Sequence, residues 1–368
     1  MGINCGIVGL PNVGKSTIFN ALTRASVPAA NYPFCTIDPN VGVVPVPDAR
    51  LTRLSELVPT AQVVPTVMQF VDIAGLVKGA SEGQGLGNQF LGHIQEVDAV
   101  AQVVRCFEDP DVVHVSGSID PQRDIEIIDT ELALKDLGVV QSALNRLGKA
   151  AKGGDKKAVA AVETLEALSA PLDKGVPARA TMKALPPQTW EFIKPLNLLT
   201  AKPVLYVANV AEQDAASGDG PLVRIIREIA AKEGAPVVPI CGAIEAQIAA
   251  LETDEERAEY LAAVGLKEPG LQRMIRAAYE RLGLITFFTV GPKEDRAWTV
   301  RRGSTAPQAA GVIHSDFERG FIRAEVTSYD EFVSCGSEAV ARERGKLRLE
   351  GKEYVVQDGD LMHFRFSV

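Results

Sequence analysis

The sequence predicts an α/β fold in which a parallel-rich sheet carries helices on both faces. Two observations lead to this prediction. Short apolar runs typical of buried strands alternate with helix-like segments along most of the chain. A glycine-rich loop also joins the first apolar run to the first helix-like segment, an order that puts a ligand at the carboxyl ends of parallel strands.

Composition narrows the class of protein. The chain has 368 residues, of which 46% are hydrophobic and 23% charged, enough for two or three cores, and a net charge of −9 argues against unspecific coating of nucleic acid. The five cysteines lie far apart without a C-x-x-C pair, so we expect reduced thiols. No run approaches the roughly 20 apolar residues that span a bilayer, and no signal peptide is recognisable. We therefore expect a cytoplasmic protein without a membrane segment.

The first element is a strand over residues 3–9, and the next segment, GLPNVGKST, fits the phosphate-loop pattern G-x-x-x-x-G-K-[ST] before a helix. Backbone N–H groups of such a loop wrap phosphates, and the helix N-terminus adds partial positive charge. Lys15 is expected to reach the β and γ phosphates as a binding and catalytic group, and Ser16 to offer its hydroxyl to Mg²⁺. The predicted nucleotide contacts are Asn12, Val13, Gly14, Lys15, Ser16 and Thr17.

The second strand that bears on chemistry covers residues 67–71 and ends in Asp72-Ile73-Ala74-Gly75. We expect Asp72 to hold Mg²⁺ through a water molecule, and the Gly75 amide to meet the γ-phosphate. Before this strand lies NYPFCTIDPN, which prolines keep from being a helix. Thr36 in this segment is the candidate switch threonine that closes on Mg²⁺, and a plain surface loop is the alternative.

Further βα alternation follows, with strands over 99–106, 203–208 and 236–240 and a helix over 221–232. Residues 120–200 break the alternation, because apolar residues recur there at three and four spacing on both sides of a polar break. That pattern predicts an antiparallel helical hairpin. Four basic residues near its tip are assigned to a solvated turn, with a phosphate-backbone contact as the alternative: Lys149, Lys152, Lys156 and Lys157.

Residues 284–368 consist of short β-rich runs and predict a separate small domain with one or two short helices. Four arginines near its strands permit an RNA-facing surface: Arg296, Arg301, Arg302 and Arg323.

Taken in order, GLPNVGKST, NYPFCTIDPN, DIAGL, GASEGQGLGNQF and NVAE resemble the Obg-related translation-factor P-loop NTPases, and most closely the Obg-like ATPase subfamily called YchF. The resemblance implies a G domain over 1–283, interrupted by the hairpin at 120–200, and a C-terminal ubiquitin-like TGS domain, an α+β fold, over 284–368. It also implies binding to ribosomes or other translation partners under control of ATP or ADP.

The same resemblance puts the base-reading motif on Asn209-Val210-Ala211-Glu212, with Asn209 and Val210 as base contacts. The last base-contacting loop falls on Cys241-Gly242-Ala243. Its Ser-Ala-Lys form in GTPases is absent here, so only backbone contacts from Gly242 and Ala243 carry over.

The base motif bears on which nucleotide is bound. Related GTPases read guanine with Asn-Lys-x-Asp, whose aspartate accepts two hydrogen bonds from the base. Here Val210 replaces the lysine and the longer Glu212 replaces the aspartate. Two charge-assisted bonds at about 1.5 to 3 kcal/mol each correspond to roughly two to four powers of ten in guanine preference. The residues therefore argue for lost guanine selectivity, and the resemblance adds a preference for ATP.

The residue that orients the attacking water is not obvious. Leu76 stands where many GTPases have a glutamine, so we expect slow unaided hydrolysis. Three substitutes remain open. His114 follows a strand near the phosphates and can polarise water; Asn12 can help to hold K⁺, as in related NTPases; and a partner can supply a group in trans.

The sequence thus predicts a slow ATP-hydrolysing molecular switch. The alternatives are a GTPase or dual-specificity NTPase of the same fold, a nucleotide-gated binding module whose hydrolysis is incidental, and a small-molecule phosphotransferase.

Overall fold

The fold was analysed in a computed structural model that describes residues 3–24, 40–73, 86–109 and 114–367. Contacts divide the chain into two compact units, which are described separately. The first comprises Met1–Val44 and Gln69–Arg281, and the second Pro45–Met68 and Leu282–Val368. No helix in these described ranges is both long and apolar enough to cross a membrane.

The first unit is built on a six-stranded sheet. Its strands are β1 (Asn4–Val8), β2 (Val41–Pro45), β4 (Val67–Asp72), β5 (Ala99–Cys106), β6 (Val204–Val210) and β7 (Val237–Ile240). Their order is β2-β4-β1-β5-β6-β7, and β1 pairs in parallel with both β4 and β5. The pairs β5–β6 and β6–β7 are parallel too, which confirms the predicted parallel-rich sheet. Because parallel strands end at one edge, the carboxyl ends of β1, β4, β5 and β6 converge there.

Helices accompany this sheet. They are α1 (Lys15–Arg24), α3 (Leu86–Glu96), α8 (Glu212–Ala215), α9 (Pro221–Glu233), α10 (Gly242–Ile248), α11 (Asp254–Ala263) and α12 (Gly270–Arg281). The face of β5 and β6 that meets α9 and α10 is apolar, with Tyr206 and Ile226 fully buried. The buried Glu245 carboxylate accepts hydrogen bonds from the Gly270 and Leu271 N–H groups at the start of α12, at 2.7 and 3.3 Å. This contact satisfies N–H groups that the first turn of a helix leaves without a partner.

The predicted hairpin consists of α4 (Pro121–Lys152) and α5 (Lys156–Asp173). Leu137 and Val140 of α4 pack against Leu165 and Leu172 of α5, as the leucine spacing predicts. After the hairpin come α6 (Ala178–Met182), α7 (Trp190–Ile193) and three 3₁₀ turns at Pro187–Thr189, Lys194–Leu196 and Leu199–Ala201.

The turn of the hairpin is shorter than we expected. It contains Gly153, Gly154 and Asp155, whose side chain caps α5 by accepting from the Lys157 N–H at 2.9 Å. Lys149 and Lys152 lie in the last turn of α4, and their side chains are exposed to solvent. Cations are favourable at that end of a helix because it carries partial negative charge.

The second unit has its own six-stranded sheet, ordered β11-β10-β12-β8-β9-β3. Its strands are β3 (Val63–Val64), β8 (Leu284–Thr289), β9 (Asp295–Arg301), β10 (Phe321–Ser328), β11 (Arg348–Glu350) and β12 (Asp360–Phe366). Its helices are α2 (Ala49–Leu57), α13 (Ala306–Ile313), α14 (Ser315–Arg319), α15 (Tyr329–Cys335) and α16 (Glu338–Glu343). The pairs β8–β9 and β10–β12 are antiparallel, whereas β12 and β8 run in parallel. The sheet is β-rich as expected, but four helices lie in 284–368 where one or two were predicted.

Residues 45–68 group with the second unit, although the sequence led us to expect them in a domain ending at residue 283. Two contacts explain the difference. Strand β3 adds in parallel to the edge strand β9, with Val63 opposite Asp295. Leu51 and Leu54 of α2 are buried in the same cluster as Phe288 and Phe332. Residues 45–68, which lie between two parts of the first unit in the sequence, thus contribute to the core of the second unit.

Candidate active site

The phosphate loop begins where β1 ends and closes at the N-terminus of α1. Asn12 has a φ of 62°, an unusual value for a residue with a side chain, and Gly14 has a φ of 96°. A Cβ atom on Gly14 would overlap the amide nitrogen of Asn209, so glycine is required there. The exposed side chains of Asn12, Ser16 and Thr17 lie on the open side of the loop.

Lys15 is held inside this loop. It is 8% exposed, and its Nζ donates to the Leu10 carbonyl oxygen at 2.8 Å. Burial lowers the pKa of Lys15 to about 8, and the nearby Asp72 carboxylate opposes that shift. A phosphate would offer the ammonium group an anionic partner that the carbonyl oxygen does not supply.

Asp72 ends strand β4 beside the phosphate loop. Its Oδ1 atom is buried and has no hydrogen-bond partner in the part of the chain that the structure describes. Burial raises the pKa of this carboxyl group, and the Lys15 cation opposes the shift. A buried carboxylate oxygen without a partner is costly unless a cation or a water molecule completes its contacts.

Asn209 ties the two halves of the site together. Its Nδ2 donates to the Val13 carbonyl oxygen at 2.9 Å, and its Oδ1 accepts from the Gly242 N–H at 3.0 Å. The residue is 4% exposed and lies at the end of β6. We expected this side chain to contact the base, whereas the structure uses both of its polar atoms to fix the phosphate loop against the start of α10. The sequence did not reveal this positioning role, because β5 separates β6 from β1 in the sheet.

A cleft of about 520 Å³ joins these elements. It is lined by Asn12, Gly14, Lys15, Ser16, Thr17, Phe107, Asp109, Asn209, Val210, Ala211, Glu212, Cys241, Gly242 and Ala243. Residues from three distant segments that the sequence pointed to therefore meet in one cavity. Val13 is buried behind the loop and does not line it.

Phe107, Asp109 and the buried Arg105 behind them were missed from the sequence. Arg105 is 1% exposed; its Nε donates to the Phe107 carbonyl oxygen at 3.0 Å and its Nη2 to that of Asp109 at 3.4 Å. The Arg105 guanidinium also lies 4.5 Å from the centroid of the Phe107 ring, and its Nη1 is 3.5 Å from the Asn12 carbonyl oxygen. The guanidinium group of Arg105 thus connects Phe107 and Asp109 in the cleft wall to the phosphate loop. The strand sequence AVAQVVRC did not indicate that Arg105 is buried, because an arginine at a strand end is usually exposed.

His114 does not line the cleft in this structure. Its Nε2 lies 2.8 Å from Asp124 Oδ2, and its Nδ1 accepts from the Ser116 N–H at 3.1 Å. With both ring nitrogens engaged and the side chain 3% exposed, the imidazole cannot polarise water in this arrangement. A catalytic role for His114 requires these contacts to open.

Thr36, Gly75 and Leu76 lie outside the described residues, so their predicted roles stay predictions. Across the described ranges, no group of three or more His, Cys, Asp and Glu side chains could hold a metal ion. This finding is compatible with Mg²⁺, which keeps several waters and takes ligands from hydroxyl groups and phosphates.

Comparisons with known proteins agree with this geometry. Residues 4–143 match the family model MMR_HSR1, described as "50S ribosome-binding GTPase", and residues 284–367 match YchF-GTPase_C, described as "Protein of unknown function (DUF933)". The proteins named "Ribosome-binding ATPase YchF" from Haemophilus influenzae and Bacillus subtilis are 57% and 53% identical to this chain, with full coverage of both sequences. The solved structure titled "Structure of the Schizosaccharomyces pombe YchF GTPase" matches with a TM-score of 0.86 at 38% identity, over 99% of this chain and 98% of that one. The names of these relatives thus differ in whether they describe an ATPase or a GTPase.

Proposed function

The chain belongs to the YchF family, and on that premise we propose that it is a slow ATP-binding and ATP-hydrolysing switch whose nucleotide state controls its association with the ribosome. One observation carries the proposal: a single cleft joins an intact phosphate loop to the residues Asn209–Glu212, in which the guanine-reading aspartate is missing.

The choice of base follows from the lining of that cleft. Val210 is buried and apolar, and Phe107 adds an aromatic wall, so the base meets surfaces that do not distinguish adenine from guanine by hydrogen bonding. Glu212 lies exposed at the start of α8, and we propose that it does not pair with the guanine edge. Backbone groups of Gly242 and Ala243 are left as neighbours of the base, with Asn209 holding that loop in place.

The donor set fits Mg²⁺. Ser16 is exposed in the cleft, and the buried Asp72 Oδ1 has no partner among the described residues, as a carboxylate that holds a metal-bound water requires. We propose Ser16 as the direct ligand, Asp72 as the ligand through water and Thr36 as the ligand from the switch segment. When bound, Mg²⁺ supplies charge neutralisation on the β and γ phosphates. Lys15 adds its cation at the same oxygens, and the Gly75 amide is proposed as a further donor.

Hydrolysis needs a group that orients the attacking water, and the apolar side chain of Leu76 cannot do so. We propose His114 for this role, after release from Asp124. The exposed side chain of Asn12 is proposed as a K⁺ ligand at the mouth of the cleft. Replacing K⁺ by Na⁺ in the assay tests the second proposal: an unchanged rate removes K⁺ from the mechanism.

Co-sedimentation with purified ribosomes tests the switch. We expect binding to differ between the ATP, ADP and nucleotide-free states, and Lys15→Ala to behave like the nucleotide-free protein in all three. Equal sedimentation of the normal chain in every state would contradict nucleotide control, and no sedimentation in any state would remove the ribosome as partner.

One observation favours a second function, a nucleotide-gated binding module whose hydrolysis is incidental. His114 is held away from the cleft by two hydrogen bonds, so the structure has no water-orienting side chain in place among the residues it describes. This function gains support if Lys15→Ala abolishes ribosome binding while His114→Ala, with hydrolysis lost, leaves it intact.

A further inference from the structure

A groove along α4 of the hairpin has no role in the nucleotide site. It runs along α4 from Leu134 to Arg146 and is bounded on the far side by the turn at Lys194–Leu196. Its volume is about 660 Å³, larger than that of the nucleotide cleft. The groove lies wholly within the first unit.

The lining of the groove is mixed, with apolar side chains between the polar Lys135, Ser142 and Arg146. Val139 and Leu196 are half-buried and pack on the hairpin core. Leu134 is 42% exposed at one end, one of the larger apolar side chains that the described part of the chain leaves in solvent. Exposed apolar surface in a concave site is typical of a contact with another protein.

A basic side chain lies near each end of the groove. Lys135 and Arg146 are exposed, line the groove and form no ion pair within the described residues. The neighbouring acid, Asp136, points inward and accepts from the Leu199 and Thr200 N–H groups at 2.8 and 2.7 Å. The groove is therefore positively charged on a chain of net charge −9.

Gly138 lies between the two cations, in the middle of a 32-residue helix. A Cβ atom there would meet nothing within 4 Å, so no contact inside the chain requires glycine. Glycine in a helix interior costs about 1 kcal/mol relative to alanine. A glycine at this position would allow the backbone of a partner helix to approach α4 closely.

We propose that this groove binds an acidic amphipathic helix of a partner protein. Lys135 and Arg146 are separated by eleven residues of helix, a distance of roughly 16 Å at 1.5 Å per residue. A partner helix with carboxylates about three turns apart and small aliphatic residues between them matches the two cations and the apolar side chains Leu134, Val139 and Leu196. Single-stranded RNA matches less well, because the groove has no aromatic side chain for base stacking and no cation in its centre.

The probe for this proposal is a designed helical peptide with glutamates about three turns apart and leucine and alanine between them, labelled for fluorescence anisotropy. A peptide with glutamine in place of glutamate is its matched control. We expect saturable binding of the glutamate peptide to the full chain and binding weaker by about tenfold or more for the glutamine peptide. Equal binding of the two peptides would overturn the charge assignment, and no binding of either would overturn the proposal.

Two glycine variants locate the site. Gly138→Leu fills the groove, whereas Gly148→Leu makes the same change on the same helix outside it, also with open space around the Cβ. We expect the first variant to lose the peptide and the second to keep it, with unchanged helix content by circular dichroism and unchanged ATP hydrolysis in both. Retained peptide binding in Gly138→Leu would contradict the proposed site.

A single-stranded RNA is the control for the class of partner. If this RNA binds and its binding depends on Lys135, Arg146 and Gly138, the proposal of a protein partner is wrong. Because ATP hydrolysis is measured separately, failure here leaves the proposed function untouched.

Discussion

At the residue scale, the Asn209 side chain holds the phosphate loop and the start of α10 in place by two hydrogen bonds. Removing it leaves the buried Gly242 N–H and the Val13 carbonyl oxygen without their partner. We predict that Asn209→Ala lowers the free energy of unfolding by about 1 to 3 kcal/mol, the usual cost of an unsatisfied buried polar group. Denaturant unfolding measures this change, and nucleotide affinity should fall as well. The exposed Glu212→Gln is the control, expected to leave stability within about 0.5 kcal/mol. Equal stability of Asn209→Ala and the normal chain would contradict the positioning role.

Lys15 makes nucleotide binding depend on protons. In the free protein burial lowers the pKa of Lys15 to about 8, so the ammonium group loses its proton as pH rises through that value. A bound triphosphate favours the charged form and raises the pKa again. We predict that ATP binding takes up a fraction of a proton near pH 8 and much less near pH 7, and that affinity falls above pH 8.

Calorimetry in two buffers of different ionisation enthalpy measures this uptake. Lys15→Arg, which stays charged throughout, is the matched control and should show no such uptake. Uptake that is as large in Lys15→Arg as in the normal chain would assign the proton to another group.

At the scale of elements, Phe107 and Asp109 line the cleft after β5, and His114 precedes α4. Arg105 at the end of β5 holds the start of this segment, and Asp124 in the first turn of α4 holds His114 near its end. If His114 leaves Asp124 to orient water, then His114→Ala should lower kcat by about 10²- to 10⁴-fold with little change in KM. Asp124→Ala frees the imidazole and also removes the ion pair between Asp124 Oδ1 and Arg123, and it should keep or raise kcat. Equal loss of kcat in both variants, with equal loss of thermal stability, would make His114 a structural residue.

Arg105 offers a separate test of the same segment. Arg105→Met keeps an apolar stem but loses the hydrogen bonds to the carbonyl oxygens of Phe107 and Asp109. We predict weaker ATP binding by about tenfold, from the loss of one or two bonds to a charged donor, and incomplete recovery in Arg105→Lys, which lacks the planar fork. Full recovery in Arg105→Lys would mean that charge alone is needed.

The sequence predicted the elements that carry strong local patterns. Strands β1, β4 and β5 appear where apolar runs predicted them, and β6 extends two residues further, through Asn209 and Val210. The motif GLPNVGKST predicted the loop, because a phosphate loop is encoded locally by glycine and lysine spacing. The roles of Arg105 and Asn209 as ties could not be predicted, since each depends on which strands become neighbours in the sheet.

At the scale of the whole molecule, residues 45–68 group with the second unit, which local patterns in the sequence did not predict. Strand β3 has two residues and α2 has nine, too short for periodicity to assign them to a core. Their partners lie more than two hundred residues away, with Leu51 and Leu54 in one cluster with Phe288 and Phe332. Only the folded chain reveals this connection.

Truncation tests that organisation. A chain that ends at Arg281 keeps α2 but loses the partners of Leu51 and Leu54. We predict that it aggregates or binds a hydrophobic dye, because it exposes two buried leucines, and that polar substitution of both leucines relieves this. A truncated chain that remains monomeric without those substitutions would contradict the shared core.

The predicted RNA-facing surface of the second unit stays a prediction. Arg301, Arg302 and Arg323 are exposed there, whereas Arg296 lies 4.3 Å from the centroid of the Trp298 ring and pairs with Glu294 at 3.6 Å. Exposure therefore does not assign these arginines a role, because Arg296 and Arg301 both take part in interactions within the chain.

We propose that this cleft binds ATP because it lacks the aspartate that would select guanine. Competition of ATP and GTP for the same labelled nucleotide, with Mg²⁺ present and Lys15→Ala as the binding-deficient control, measures it most directly. We predict that ATP binds at least as tightly as GTP and that binding of both nucleotides is lost in Lys15→Ala. GTP binding about tenfold tighter than ATP, a difference of about 1.4 kcal/mol, would contradict it.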